Sequence, residues 1–147
     1  MKLRRGIFIV TYAIVEGKIK YIILKRKLHW IGWEFPKGGV ERFEFRRFAV
    51  KRELKEEIGL IPIKINSFNE NGIYKYNKKY ADRKGFSGQN YKLYSAEVNF
   101  SKKIKIDGLE HSDFKWINFK EALNKLTWPN QKKCLKVVNE WLKKSSK

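Results

Sequence analysis

Residues 38–60, GGVERFEFRRFAVKRELKEEIGL, gather three glutamates into five positions of a helix-forming segment. Val50, Leu54 and Ile58 repeat at the four-residue spacing of one helical stripe, and Gly59 supplies a C-terminal stop. The pattern predicts a helix over Phe45–Ile58. Spacings of three and four set Glu53, Glu56 and Glu57 on one face, about 100° around the axis from the apolar stripe. One flank of such a helix can pack on a sheet while the next presents carboxylates. Like charges this close repel, and a divalent cation reverses the sign of that term. Hard cations such as Mg²⁺ or Mn²⁺ take carboxylate oxygens and keep waters for substrate phosphates. The alternative is a solvated helix in which Arg52 pairs with Glu56, and Glu53 with nearby lysines.

The acids stand out because the chain is basic, with 34 Lys and Arg against 15 Asp and Glu and a formal net charge of +19. Basic pairs run the whole length, from Arg4-Arg5 through Arg46-Arg47 to Lys143-Lys144. That spread gives a general positive field rather than one recognition helix, and it suits nucleotides or nucleic acid. A plain lysine-rich surface is the alternative. At 147 residues the chain reads as one domain, residues 1–147, long enough to bury a core. Its 42% hydrophobic and 15% aromatic content excludes a disordered tail. The single cysteine, Cys134, excludes an intrachain disulfide and suits a reducing compartment.

Lys2, Arg4 and Arg5 before an apolar run could mimic a signal peptide, but Glu16-Gly17-Lys18 follow in place of a small-residue cleavage site. The run is also shorter than the roughly 20 residues that span a bilayer. A hairpin of Gly6–Val15 with Lys18–Lys27 is expected instead, in a soluble, cytoplasmic protein with no membrane partner. His29–Gly39 reads as a loop with at most a short strand near Trp33–Phe35. Further strands are expected over Ile61–Tyr76, broken near Asn69–Gly72, over Gln89–Phe100, and over Lys115–Ile117. Asn77–Gly88 reads as a loop. Helices are expected over Phe119–Leu126 and Trp128–Lys144, the second with Leu135, Val138 and Trp141 buried and Pro129 in its first turn. Mixed strands and helices in this order predict an α/β sandwich.

The string from Gly38 to Leu60 resembles the Nudix box: glycine, five residues, glutamate, seven residues, then Arg-Glu-apolar-any-Glu-Glu-any-Gly-apolar. Gly38, Glu44, Arg52, Glu53, Leu54, Glu56, Glu57, Gly59 and Leu60 fill every defined position. A chance match at a given start is on the order of 10⁻⁹ with average residue usage. The resemblance covers most of the chain. It implies an α/β/α sandwich with a mixed β-sheet and a catalytic loop–helix–loop. It also implies hydrolysis of nucleoside diphosphates linked to another group, with Mg²⁺ or Mn²⁺ as cofactor. By the same resemblance Glu56 and Glu57 are metal ligands, Glu53 is a ligand or the base, and the Gly38 carbonyl is a further ligand. Arg52 and Glu44 form the supporting ion pair. The chemistry is coherent: metal ions neutralise a pyrophosphate and acidify water, and a nearby carboxylate takes the proton.

Trp33-Glu34-Phe35-Pro36-Lys37-Gly38 resembles the Trp-x-Phe-Pro-Lys-Gly run of asymmetrical diadenosine tetraphosphate hydrolases. RNA 5′-pyrophosphohydrolases carry a similar run, usually with Gln where Lys37 stands. Lys37 is therefore expected to touch a phosphate. Gly88-Gln89-Asn90-Tyr91 is similar to a Gly-Gln-x-Gln/aromatic strand of the RNA enzymes and of plant-type dinucleoside hydrolases, with Tyr91 replacing the second Gln. The segment from His111 to Val138 resembles the C-terminal part of both groups, which implies base stacking at Trp128; a core tryptophan is the alternative. Tyr91 and Tyr76 are further stacking candidates, or sheet packing. Glu110 is a candidate loop carboxylate for metal or catalysis, with Glu97 behind it and His111 as a weaker base. The first expectation is hydrolysis of dinucleoside polyphosphates by water attack on phosphorus. Removal of pyrophosphate from an RNA 5′ end is second, and sanitation of damaged nucleoside triphosphates third. A non-catalytic nucleic-acid-binding module is the reading from another class; three clustered glutamates argue against it.

Overall fold

The computed structural model describes residues 2–76 and 83–145. Residues 77–82 of the expected Asn77–Gly88 loop lie outside the described residues. Among the described residues the strands are β1 (Leu3–Arg4), β2 (Gly6–Val15), β3 (Lys18–Arg26), β4 (Gly32–Glu34), β5 (Lys37–Gly39), β6 (Lys64–Lys75), β7 (Gly88–Glu97) and β8 (His111–Ile117). The helices are α1 (Arg46–Ile58), α2 (Phe119–Lys125) and α3 (Pro129–Ser145).

The β2–β3 hairpin turns at Glu16 and Gly17, both with positive φ, the geometry that matches strand twist. β2 runs parallel to β7 and antiparallel to β3 and β5, so the sheet is mixed. β6 pairs with β7 and slips register between Ser67 and Asn71, where the sequence predicts a break. β8 pairs with β3 from His111 onward, four residues earlier than its apolar content suggests.

Alternation along β2 builds two cores. Ile7 and Ile9 join Ile22, Leu24 and the α1 stripe of Val50, Leu54 and Ile58. Phe8, Val10 and Tyr12 face the other way, onto Leu135, Val138 and Leu142 of α3. The result is the expected α/β/α sandwich. Gly59 ends α1 with φ 75°, and its N–H closes the last turn on Leu54 and Lys55. β5 lies across the start of β2, which sets Gly38 against Glu53 of α1 and Gly39 against Arg4. No helix among the described residues is long and apolar enough to cross a membrane.

Candidate active site

The helix aims Glu53 and Glu57 at β5. The backbone N–H of Lys37 donates to Glu57 Oε2 at 3.0 Å, while Glu57 Oε1 is buried with no hydrogen-bond partner. A Cβ at Gly38 would run into the Glu53 carboxyl group that Arg52 holds, so a side chain there would displace that carboxylate. The start of β8 brings in Glu110 and His111, and ligand atoms of Glu57, Glu110 and His111 all lie within 4.8 Å of one another. Glu56 stays on the solvent side of the helix.

Arg52 ties the loop to the helix. Its Nε and Nη2 donate to the two oxygens of Glu44 at 2.8 and 2.9 Å, Nη1 donates to Glu53 at 2.8 Å, and Nη2 also reaches the Gly39 carbonyl at 2.8 Å. The resemblance implies an ion pair between Arg52 and Glu44, and its geometry here is bidentate. The hydrogen bond from Arg52 holds the Glu44 carboxyl below the usual carboxylate range.

The glutamates of the helix are pushed the other way. Burial raises Glu53 to about 7, against the pull of Arg52 and with help from Glu56 and Glu110. Glu57 is raised well above its ordinary value, first by burial and then by repulsion from Glu53, Glu34 and Glu110. Crowded, dehydrated carboxylates with an orphaned oxygen fit a hard divalent cation.

Sequence reasoning missed the group beside them. Glu34 is fully buried, accepts from Arg26 Nη1 at 3.0 Å, lies 2.8 Å from His111 Nε2, and has Lys37 Nζ at 3.5 Å. Burial would raise its pKa, but Lys37, the His111 hydrogen bond and Arg26 together outweigh it and hold Glu34 at about 2. The available signal was weak: a lone acid between Trp33 and Phe35, and an arginine closing the apolar strand β3.

Two clefts meet at Lys37. A polar cleft of about 210 Å³ is lined by Arg26, Gly38, Glu53, Glu56 and Glu110. A larger one of about 530 Å³ is walled by Phe8, Trp30, Tyr74, Tyr76 and Trp128. Lys37 is nearly buried, with Nζ over the rings of Tyr74 at 5.1 Å and Trp30 at 5.9 Å. Trp128 is 43% exposed and meets Trp30 edge-on at 5.3 Å, so it is a cleft wall rather than a core residue. Tyr91, a substrate-stacking candidate with sheet packing as its alternative, takes the alternative and sits in the core: its ring stacks on Phe8 at 4.0 Å and fills the space over Gly72. Glu97 pairs with Lys64 and Tyr12 in the sheet and lines neither cleft.

A profile of the NUDIX domain matches residues 3–138. The RNA pyrophosphohydrolase of a Nitratiruptor species is 32% identical over 140 residues, spanning 92% of this chain and 90% of that protein. An 8-oxo-dGTP diphosphatase of Buchnera aphidicola subsp. Schizaphis graminum is 34% identical over 110 residues, 72% of this chain and 82% of that protein. Among solved structures, a binary complex of a C. elegans Ap4A hydrolase superposes with a TM-score of 0.78 at 22% identity, covering 95% of this chain and 98% of that one; this likeness is one of fold.

Proposed function

The chain belongs to the NUDIX family as a Nudix pyrophosphohydrolase, and from that premise we propose that it removes pyrophosphate from the triphosphorylated 5′ end of RNA. The observation that carries this reading is the junction at Lys37. A carboxylate cleft suited to metal-bound phosphates adjoins an aromatic cleft large enough for a nucleobase, with Lys37 and Tyr74 lining both. The +19 charge supports a substrate that stays polyanionic beyond its first nucleotide. The similarity to an RNA pyrophosphohydrolase over 92% of the chain points the same way.

Glu53, Glu56, Glu57 and the Gly38 carbonyl are the groups that would hold divalent ions, with Glu110 added from the start of β8. Such ions, Mg²⁺ or Mn²⁺, supply charge against the polyphosphate and lower the pKa of water. Arg52 fixes the Glu53 carboxylate in place, and the glycines of β5 keep side chains out of the phosphate path. Water adds to phosphorus as the anhydride P–O bond breaks and pyrophosphate leaves. The proton of that water goes to a carboxylate of this set, and Glu53, held by Arg52, is the base. Trp128 and Trp30 stack the first base, and Lys37 contacts a phosphate.

Lys37 itself favours a second reading, dinucleoside polyphosphate hydrolysis, because it completes the Trp33–Gly38 run. Initial rates on triphosphorylated RNA, diadenosine tetraphosphate and nucleoside triphosphates separate the two. Fastest turnover of RNA with release of pyrophosphate is expected. Faster diadenosine tetraphosphate hydrolysis would install the second reading, and hydrolysis of neither would remove both.

A further inference from the structure

The segment 42–51 works against the local chemistry of its own backbone. Phe43, Phe45 and Phe48 are 88%, 74% and 59% exposed. Phe43 holds φ at 64°, a left-handed conformation that bulky L-residues rarely adopt. Phe45 stands at the N-cap of α1, where Ser, Thr, Asp or Asn would accept an N–H, and α1 has no side-chain cap. The first turn carries Arg46 and Arg47 and no acid, the wrong sign for the helix dipole. Each choice lowers stability, and the exposed rings gain little packing in return. Rules broken together on one exposed face mark a functional surface.

The chemistry of that face is specific. Arg42 lies over the Phe43 ring at 5.0 Å, Lys51 lies over Phe48 at 5.7 Å, and Phe45 and Phe48 sit 6.2 Å apart. Among the described residues no salt bridge involves Arg42, Arg46, Arg47 or Lys51. Glu44, the single carboxylate of the segment, is held by Arg52. Arg47 donates Nη1 to the Ile65 carbonyl at 2.9 Å, which leaves Arg42 and Lys51 as the cations over the rings. Open aromatic rings interleaved with such cations are a stacking platform for unpaired bases with a basic track for phosphates. A second copy of a chain this basic would be repelled from the same face. Along α1, Phe48 lies about 12 Å from Glu56, at 1.5 Å of rise per residue.

We propose that Arg42–Lys51 is a stacking platform for the body of a single-stranded RNA whose 5′ end enters the carboxylate cleft, which rests on the substrate reading above. The platform adds affinity for chain length and leaves the chemistry at the anhydride untouched.

The test uses Phe43→Gly together with Phe45→Ser, two substitutions that the backbone itself favours, so the variant keeps its fold. Fluorescence anisotropy with a labelled 5′-hydroxyl RNA of about 12 nucleotides reads the platform without turnover. Affinity is expected to fall on the order of tenfold, with the melting temperature unchanged or raised. Hydrolysis of a triphosphorylated dinucleotide should stay at the wild-type rate. In Arg42→Gln with Lys51→Gln, the slope of log affinity against log salt should flatten by about 1.4. Equal RNA affinity in the phenylalanine variant overturns the platform. So does a change of oligomeric state by light scattering with RNA affinity intact, which assigns the rings to a protein contact. Tighter binding of matching single-stranded DNA overturns RNA as the occupant. If triphosphorylated RNA is not hydrolysed but the variant loses RNA affinity, the substrate reading falls and the platform stands.

Discussion

Glu34 and Glu57 are both buried carboxylates, 0% and 2% exposed, yet their surroundings drive them in opposite directions. Glu34 is met by Arg26, His111 and Lys37, and its pKa falls to about 2 despite full burial. Glu57 has one backbone N–H from Lys37, one orphaned oxygen, and Glu53 and Glu110 as neighbours, and its pKa rises. Burial alone therefore does not mark a functional acid; the local count of compensating cations does. Glu34 Oε1 and His111 Nδ1 also lack hydrogen bonds, but the first set is balanced by cations and braces β3, β4 and β8 against one another. Around Glu57 the second has more carboxylates than hydrogen-bond donors, beside a cleft with room for a phosphate.

The sharpest way to break this contrast is to neutralise one member of each set. Glu57→Gln keeps the acceptor for the Lys37 N–H and removes the charge. Turnover should fall by at least about 10²-fold, since losing even a supporting partner of a metal ligand costs 10–100-fold. The metal-free protein should melt a few degrees higher, because a buried like charge is gone. A lower melting temperature with full activity would make Glu57 an ordinary structural acid. Glu34→Ala should do the reverse. It strands Arg26 and His111 without their buried partner, which costs roughly 3–5 kcal/mol, on the order of 10 °C in melting temperature. Differential scanning calorimetry decides; a neutral result would show that Arg26 and His111 do not depend on Glu34.

Opposed pKa shifts make opposed pH profiles. Glu53 ionises near 7 in the folded chain and near its ordinary 4.5 when unfolded. Between those values the folded state binds more protons, so metal-free stability should fall as pH rises through that window, by on the order of 1–3 kcal/mol. Glu34, with its folded value near 2, contributes stability that is present above about 4.5 and is lost only as pH falls toward 2. Urea titrations in chelator at about pH 5 and about pH 8 read the first slope. A rise in stability over that range would contradict the assignment of Glu53. The smallest effect is expected at Lys37, which touches both sets. Lys37→Ala leaves Glu34 with Arg26 and His111, and should weaken polyphosphate use about tenfold more than nucleoside triphosphate use. Equal losses in kcat/KM would detach Lys37 from the longer substrates.

The two sets also differ in how far the sequence reveals them. Gly38, Glu44 and the helix glutamates lie within twenty residues, and helical spacing alone puts Glu53 and Glu57 on one flank. The Arg52–Glu44 pair spans eight residues. Glu34, by contrast, meets His111 across 77 residues, and the meeting depends on β3 pairing with both β4 and β8. Nothing local encodes that. Tyr91 shows the same limit: strand alternation says that its ring alternates sides, but only Phe8 on the neighbouring strand makes that side a core. The polar start of β8 hid its extent, since His111, Ser112 and Asp113 carry no apolar pattern and are held by β3.

Isothermal titration of Mn²⁺ into the chelator-treated protein tests the contrast most directly. Saturable binding is expected in the wild type and in Lys37→Ala, and its loss is expected in Glu57→Gln. No binding in the wild type, or the same binding in wild type and Glu57→Gln, would contradict a cation held by these carboxylates.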